Sequence, residues 1–211
     1  FSLLSKMLTL ILVPFIPHRL YWKKMILFSI LSCSLSMLIL YASFGSNTGW
    51  MESVRLWFVS FEFNASIYYL ARELGYWITG YNTIEKTGPI LAMFTLCGIG
   101  LYWIRYIWKQ RPDWSTAMLF VLTFYFFMAT TVHPWYLASL LCLGILSRRI
   151  YPLVWTFLVF LSYSHYEDGG FHENYFLIAT EYILLVAWII LEWQTRKRQA
   201  KIYSTTPASL D

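Results

Sequence analysis

The sequence predicts an all-α protein, a polytopic transmembrane helix bundle of about six or seven membrane segments with amphipathic interfacial helices in an outward loop. Three observations predict it. Apolar runs of spanning length recur along the 211 residues. Charged residues make up only 13%, where soluble domains carry about 25%. Aromatics reach 20%, with 11 Trp and 16 Tyr, and such rings suit the headgroup level, where one end is dry and the other wet. The net charge of +5 is spread over the flanks of apolar runs, which argues for a membrane partner and no nucleic acid.

A spanning helix needs about 20 apolar residues, with a range of roughly 17–25. Residues 1–17 are apolar apart from Lys6 and a few hydroxyls, and end at Pro14 and Pro17. The basic cluster His18, Arg19, Lys23 and Lys24 follows, then a clean span over 25–44. Residues 84–108 are a second clean span and 114–131 a third, which runs into His133-Pro134. Segments 135–147 and 151–164 are apolar but short. Either their aromatic ends extend them, or neighbouring helices shelter them, or the bilayer thins locally. Residues 174–193 form the last span. Phe1 already lies inside an apolar run, with no signal-peptide start. The expectation is a single transmembrane domain over 1–211 that is the C-terminal part of a longer chain.

Charge alternation sets the sides. If the 18–24 turn is cytoplasmic, then 105–115, 148–150 and the tail 194–211 share that side. These places hold twelve of the 16 lysines and arginines. The opposite side receives 46–83, the His133 turn and 165–173, which are rich in acids. His133 is then expected to face outward. In the outward loop 46–83, Phe63, Ile67, Leu70, Leu74, Trp77 and Ile78 recur at helical spacing, which predicts a helix lying in the interface plane. Trp50 to Val59 predicts a shorter one.

Four places could carry chemistry. In His133-Pro134-Trp135-Tyr136 the proline disfavours helix at His133 and removes a backbone donor. The histidine can donate to an anionic group or carry charge toward it, and Trp135 and Tyr136 can stack on a sugar or a prenyl chain. The plain alternative is a helix end with an interfacial aromatic belt. Lys6 in an apolar segment costs about 2.5–3.5 kcal/mol at a helix centre, so it needs a counter-anion such as a lipid phosphate, or it snorkels. In Glu62-Phe63-Asn64-Ala65-Ser66, Glu62 can act as a base or orient a hydroxyl. Asn64 reads more simply as a helix N-cap, and Asn64-Ala65-Ser66 is formally a glycosylation sequon. The loop His165, Glu167, Asp168, His172, Glu173 could hold a divalent metal, but it matches no named motif and its Gly169-Gly170 favours a solvated turn. No cofactor is evident. Cys33, Cys97 and Cys142 lie far apart in apolar runs and form no disulfide frame or metal pair. Nucleophile-elbow, zincin and P-loop patterns are absent from the sequence.

The stretch Phe61-Glu62-Phe63-Asn64-Ala65-Ser66-Ile67-Tyr68-Tyr69-Leu70, with Thr131-Val132-His133-Pro134-Trp135-Tyr136-Leu137 far downstream, resembles the C-terminal half of bacterial membrane mannosyltransferases of the GT-C superfamily. Ser5-Lys6 ahead of Pro14 is similar to that family as well. The resemblance implies a multi-helix enzyme of the bacterial inner membrane with its site on the outer face and its C-terminus in the cytoplasm. It implies transfer of a hexosyl group, of mannosyl type, from a polyprenyl-phosphate sugar to an acceptor hydroxyl on a glycan or lipid. Lys6, Arg72 and His133 are then candidates for the phosphate, and Glu62, Asn64, Trp135 and Tyr136 for the remaining substrate contacts. The family's acidic base lies in a first outward loop, so it is expected upstream of Phe1, and no residue here is assigned that role. Two other classes compete. A transporter or flippase needs polar residues near mid-membrane in several helices, whereas 25–44 and 84–104 are almost free of charge. A structural membrane subunit would use its polar residues only for helix packing.

Overall fold

The computed structural model describes residues 11–15, 21–44, 61–108, 113–163 and 174–205. Within them the chain is all-helical, with seven α-helices: α1 (Trp22–Phe44), α2 (Ile67–Thr79), α3 (Ile84–Trp108), α4 (Trp114–Met128), α5 (Leu137–Leu146), α6 (Tyr151–Leu158) and α7 (Tyr175–Thr205). Two of them, α3 and α7 over Tyr175–Ile202, are long and apolar enough to cross a membrane. Shorter apolar helices occupy Trp114–Met128, Pro134–Leu146 and Tyr151–Tyr163.

The middle of the bundle is α4. Its Ala117, Leu119, Val121, Leu122 and Phe126 are buried. Helices α2, α3 and α5 pack against it, α6 packs on α5, and α7 on α6. The α5–α6 turn is tight because Gly144 lets Pro152 approach; a Cβ at Gly144 would sit 2.8 Å from the Pro152 ring. The two short segments pack on each other and on α4 and α7, while Ile145, Leu146 and Phe157 stay exposed.

Helix α4 stops at Met128, three residues before the end expected from the apolar run. Ala129 is already extended. The cause lies far away in the chain. The Phe63 N–H donates to the Thr130 carbonyl (3.1 Å) and the Val132 N–H to the Phe63 carbonyl (2.8 Å). An isolated parallel bridge thus joins Phe63 to Thr131 and takes up backbone groups that a longer helix would have used internally. His133 is extended, as a residue before proline should be, and Pro134 opens a short 3-10 turn over Pro134–Tyr136 that leads into α5.

Helix α2 follows the predicted periodicity and ends at Gly80, whose φ of 75° suits glycine and whose N–H donates to the Tyr76 carbonyl. Its burial is inverted relative to a soluble helix. Tyr68, Tyr69 and Arg72 face inward, while Leu70, Leu74, Ile78 and Trp77 (85% exposed) face out. Phe63 belongs to the extended segment ahead of α2 and not to the apolar stripe. Asn64 does not cap the helix. Ser66 holds that place, because Asn64 is turned left-handed (φ 48°) and its side chain is engaged elsewhere. The Trp50 to Val59 helix, Lys6 and the His165–Glu173 loop lie outside the described residues.

Candidate functional site at the start of the last helix

The extended segment 61–66 threads between the 127–132 stretch and the first turns of α7. Beyond the Phe63 bridge, the Thr131 hydroxyl donates to the Phe61 carbonyl (3.0 Å) and the Ser66 hydroxyl to the Phe127 carbonyl (2.8 Å). Two sequence stretches 70 positions apart thus become one wall. Successive residues of the segment face different surroundings, and the left-handed bend at Asn64 (φ 48°) breaks the alternation of an extended strand.

Glu62 meets a polar network. Its carboxylate accepts from the Tyr68 hydroxyl and the Asn82 amide, both at 2.7 Å, and pairs with Arg72. Arg72 also donates to Tyr175 (2.8 Å) and to Glu73 (3.2 Å), with its guanidinium 4.6 Å above the Tyr69 ring. Burial disfavours the Arg72 charge, but the Tyr175 hydrogen bond and the Glu62 carboxylate outweigh it and raise the pKa. Arg72 is a permanent, fixed cation. Glu62, ringed by three donors, is held as an orienting group.

Residue 63 meets an aromatic cluster. The His133 ring stacks on Trp135 (4.3 Å, 12°) and lies 4.7 Å from Phe63, with Tyr136 edge-on at 5.3 Å. Trp135 is 61% exposed, so one of its faces is open to a ligand. Desolvation lowers the His133 pKa to about 4. With no anion beside it, burial favours the uncharged imidazole, which can serve as a hydrogen-bond partner. Tyr136 is half-buried and stacks on Phe126 from α4 (6.4 Å, 11°), which makes it a support for the cluster.

Asn64 points the other way, into the bundle. Its amide donates to both oxygens of Glu181 on α7 (3.2 and 3.1 Å), and the Trp155 indole donates to the same carboxylate (3.0 Å). The Tyr182 hydroxyl donates to the Asn64 carbonyl (2.7 Å). Asn64 is fully buried, so as it stands it is no open substrate contact.

The structure thus brings together Glu62, Asn64, Arg72, His133, Trp135 and Tyr136 along one wall. Sequence reasoning missed Glu181, Trp155, Tyr175 and Tyr182. The available signal was a carboxylate at Glu181 inside an apolar run, a costly placement that by itself asks for a partner. No group of three metal-ligating side chains occurs among the described residues. No protein-family model, curated protein or solved structure matches the chain.

Proposed function

We propose that the chain is part of an integral membrane glycosyltransferase of the GT-C type. It transfers a hexosyl group, of mannosyl type, from a polyprenyl-phosphate sugar to an acceptor hydroxyl on the outer face of the membrane. In this reading α1, α3, α4, α5, α6, α7 and the apolar run before them make the bundle of about six or seven segments. The basic turns and tail lie in the cytoplasm, and the α7 start faces outward.

One observation carries the reading. The two motifs on which the family resemblance rests, remote in sequence, lie side by side through the Phe63–Thr131 bridge. What adds support is the chemistry of their surroundings. A fixed guanidinium suits a phosphate, an exposed indole suits a sugar face or a prenyl chain, and the outward apolar stripe of α2 suits the level where a lipid-borne donor arrives. A phosphate reaching Arg72 exchanges with Glu73, whose side chain is 55% exposed. The neutral His133 acts as a hydrogen-bond partner to the sugar or phosphate. No residue of this chain is assigned the role of acidic base.

The test is transfer of labelled mannose from synthetic polyprenyl-phosphate mannose by the full-length protein in liposomes. The expected result is transfer that falls at least about tenfold in kcat/KM in Trp135→Ala and His133→Ala. Normal expression with wild-type turnover in both variants would overturn the site. Glu181, inside an apolar helix, is the observation that favours a transporter instead. It lies roughly 9 Å along the helix from Tyr175, given the 1.5 Å rise per residue, which suits a site near one face better than a mid-membrane path. Movement of substrate across the liposome with no release of polyprenyl phosphate would establish transport.

A further inference from the structure

We propose that Glu181 is a positioning residue for the outward site: it anchors Asn64 so that segment 61–66 holds Glu62 and Phe63 against Arg72 and His133. The anchoring follows from the geometry alone, while its effect on sugar transfer rests on the function proposed above.

Glu181 has no exposed surface. A buried carboxylate costs several kcal/mol of desolvation that an apolar residue of similar size would avoid, so its presence calls for a return. The return lies in hydrogen bonds. The two oxygens accept from one Asn64 amide and from the Trp155 indole. Among the described residues these donors are neutral, so no cation shares the site. Glu181 fixes neighbours and neutralises nothing.

What it fixes is a bend. Asn64 adopts a left-handed backbone (φ 48°) that asparagine tolerates better than most side chains. The bend is clamped at its amide by Glu181 and at its carbonyl by Tyr182, consecutive residues of α7. On either side of it the backbone is tied to 127–132. Glu62 then reaches Arg72, and the Phe63 ring comes to lie 4.7 Å from His133. Moving Asn64 moves both.

The anchor requires an acceptor at 181. Leucine there leaves the Asn64 amide and the Trp155 indole without one. Exchanging the two polar groups instead keeps the contact. In Asn64→Asp with Glu181→Gln, the glutamine accepts from Trp155 and donates to the aspartate.

The experiment uses the full-length protein in membranes, with Cys33, Cys97 and Cys142 replaced by serine and one reporter cysteine at Phe61→Cys, a position 42% exposed. Two quantities are read: the labelling rate by a membrane-impermeant maleimide, and the kcat of mannose transfer from polyprenyl-phosphate mannose. Glu181→Leu is expected to raise labelling several-fold and to lower kcat by about a hundredfold, the scale of a misplacement near 1 Å. The exchanged pair is expected to keep labelling at the wild-type rate and to retain most of kcat. Asn64→Ala, which leaves Glu181 in place, is expected to reproduce the loss and covers the case in which Glu181→Leu does not fold. Unchanged labelling in Asn64→Ala or Glu181→Leu, or an exchanged pair no better than Glu181→Leu alone, overturns the proposal. Labelling changes and rescue in a protein that uses no lipid-linked sugar uphold the anchor and overturn the glycosyltransferase reading.

Discussion

Two carboxylates lie about three turns apart on one face of α7, and they are put to different use. Glu192 sits in the basic end of the bundle. It accepts from the backbone N–H groups of Ile150 (3.1 Å) and Tyr151 (3.0 Å) at the start of α6, and it lies beside Arg149 and Arg196. Such a carboxylate satisfies open donors and meets the positive end of a helix. Glu181 sits at the other end, buried, with neutral donors from Asn64 and Trp155. The first fastens α6 to α7 where charge is plentiful. The second fastens a remote extended segment to α7 through neutral donors alone. Residue type alone does not separate a structural acid from a positioning one; the partners do.

The comparison can be broken at several points. The largest effect is expected at Arg72, whose side chain and that of Glu62 are 7% and 15% exposed. Arg72→Met strands a buried charge and should cost about 3 kcal/mol or more, seen as a fall in Tm in detergent. Glu62→Met in the same protein should recover much of that loss, because an apolar pair avoids the desolvation of both ions. Next, Glu192→Gln should cost about 1–2 kcal/mol through weakened bonds to the α6 N-terminus. Its sugar transfer should stay near wild type. A functional loss at Glu192 as deep as that at Glu181 would erase the distinction between the two ends.

The smallest effect is a pH slope. His133 in the folded protein takes a proton near pH 4, depressed by burial from the ordinary 6.5. The unfolded chain binds that proton first as pH falls, so the contribution of neutral His133 to stability is complete above about 6.5 and is lost as pH drops from there toward 4. Wild-type Tm should therefore fall more steeply between pH 7 and 5 than that of His133→Gln. Parallel curves for the two proteins would contradict the buried, neutral imidazole.

Much of the helical plan was legible in the chain. The run 84–108, the break at His133-Pro134, the two short segments after it and the amphipathic period of α2 follow from local rules of length, proline geometry and spacing. Non-local pairing was not legible. Nothing near Thr130 signals that its carbonyl receives the Phe63 N–H, so the α4 end was expected too late. Asn64 read as a cap because that is its commonest local role, and its partner lies 117 positions away. Glu181 hid in an apolar run whose overall character masked one costly residue. Arg72 was marked by its charge, but Tyr175 and the rest of its setting required the fold.

The central claim is that lipid-linked substrate engages the Glu62–Arg72 and His133–Trp135 end of the bundle and not the Glu192 end. It is tested most directly by photo-crosslinking the full-length protein in liposomes with a diazirine-bearing polyprenyl phosphate and mapping the labelled peptides. The account predicts label on the peptides that carry Arg72 and Trp135, competed away by polyprenyl-phosphate mannose. Label confined to the peptides of Arg148, Arg149 and Arg196, where basic residues could hold any anionic lipid, would contradict it.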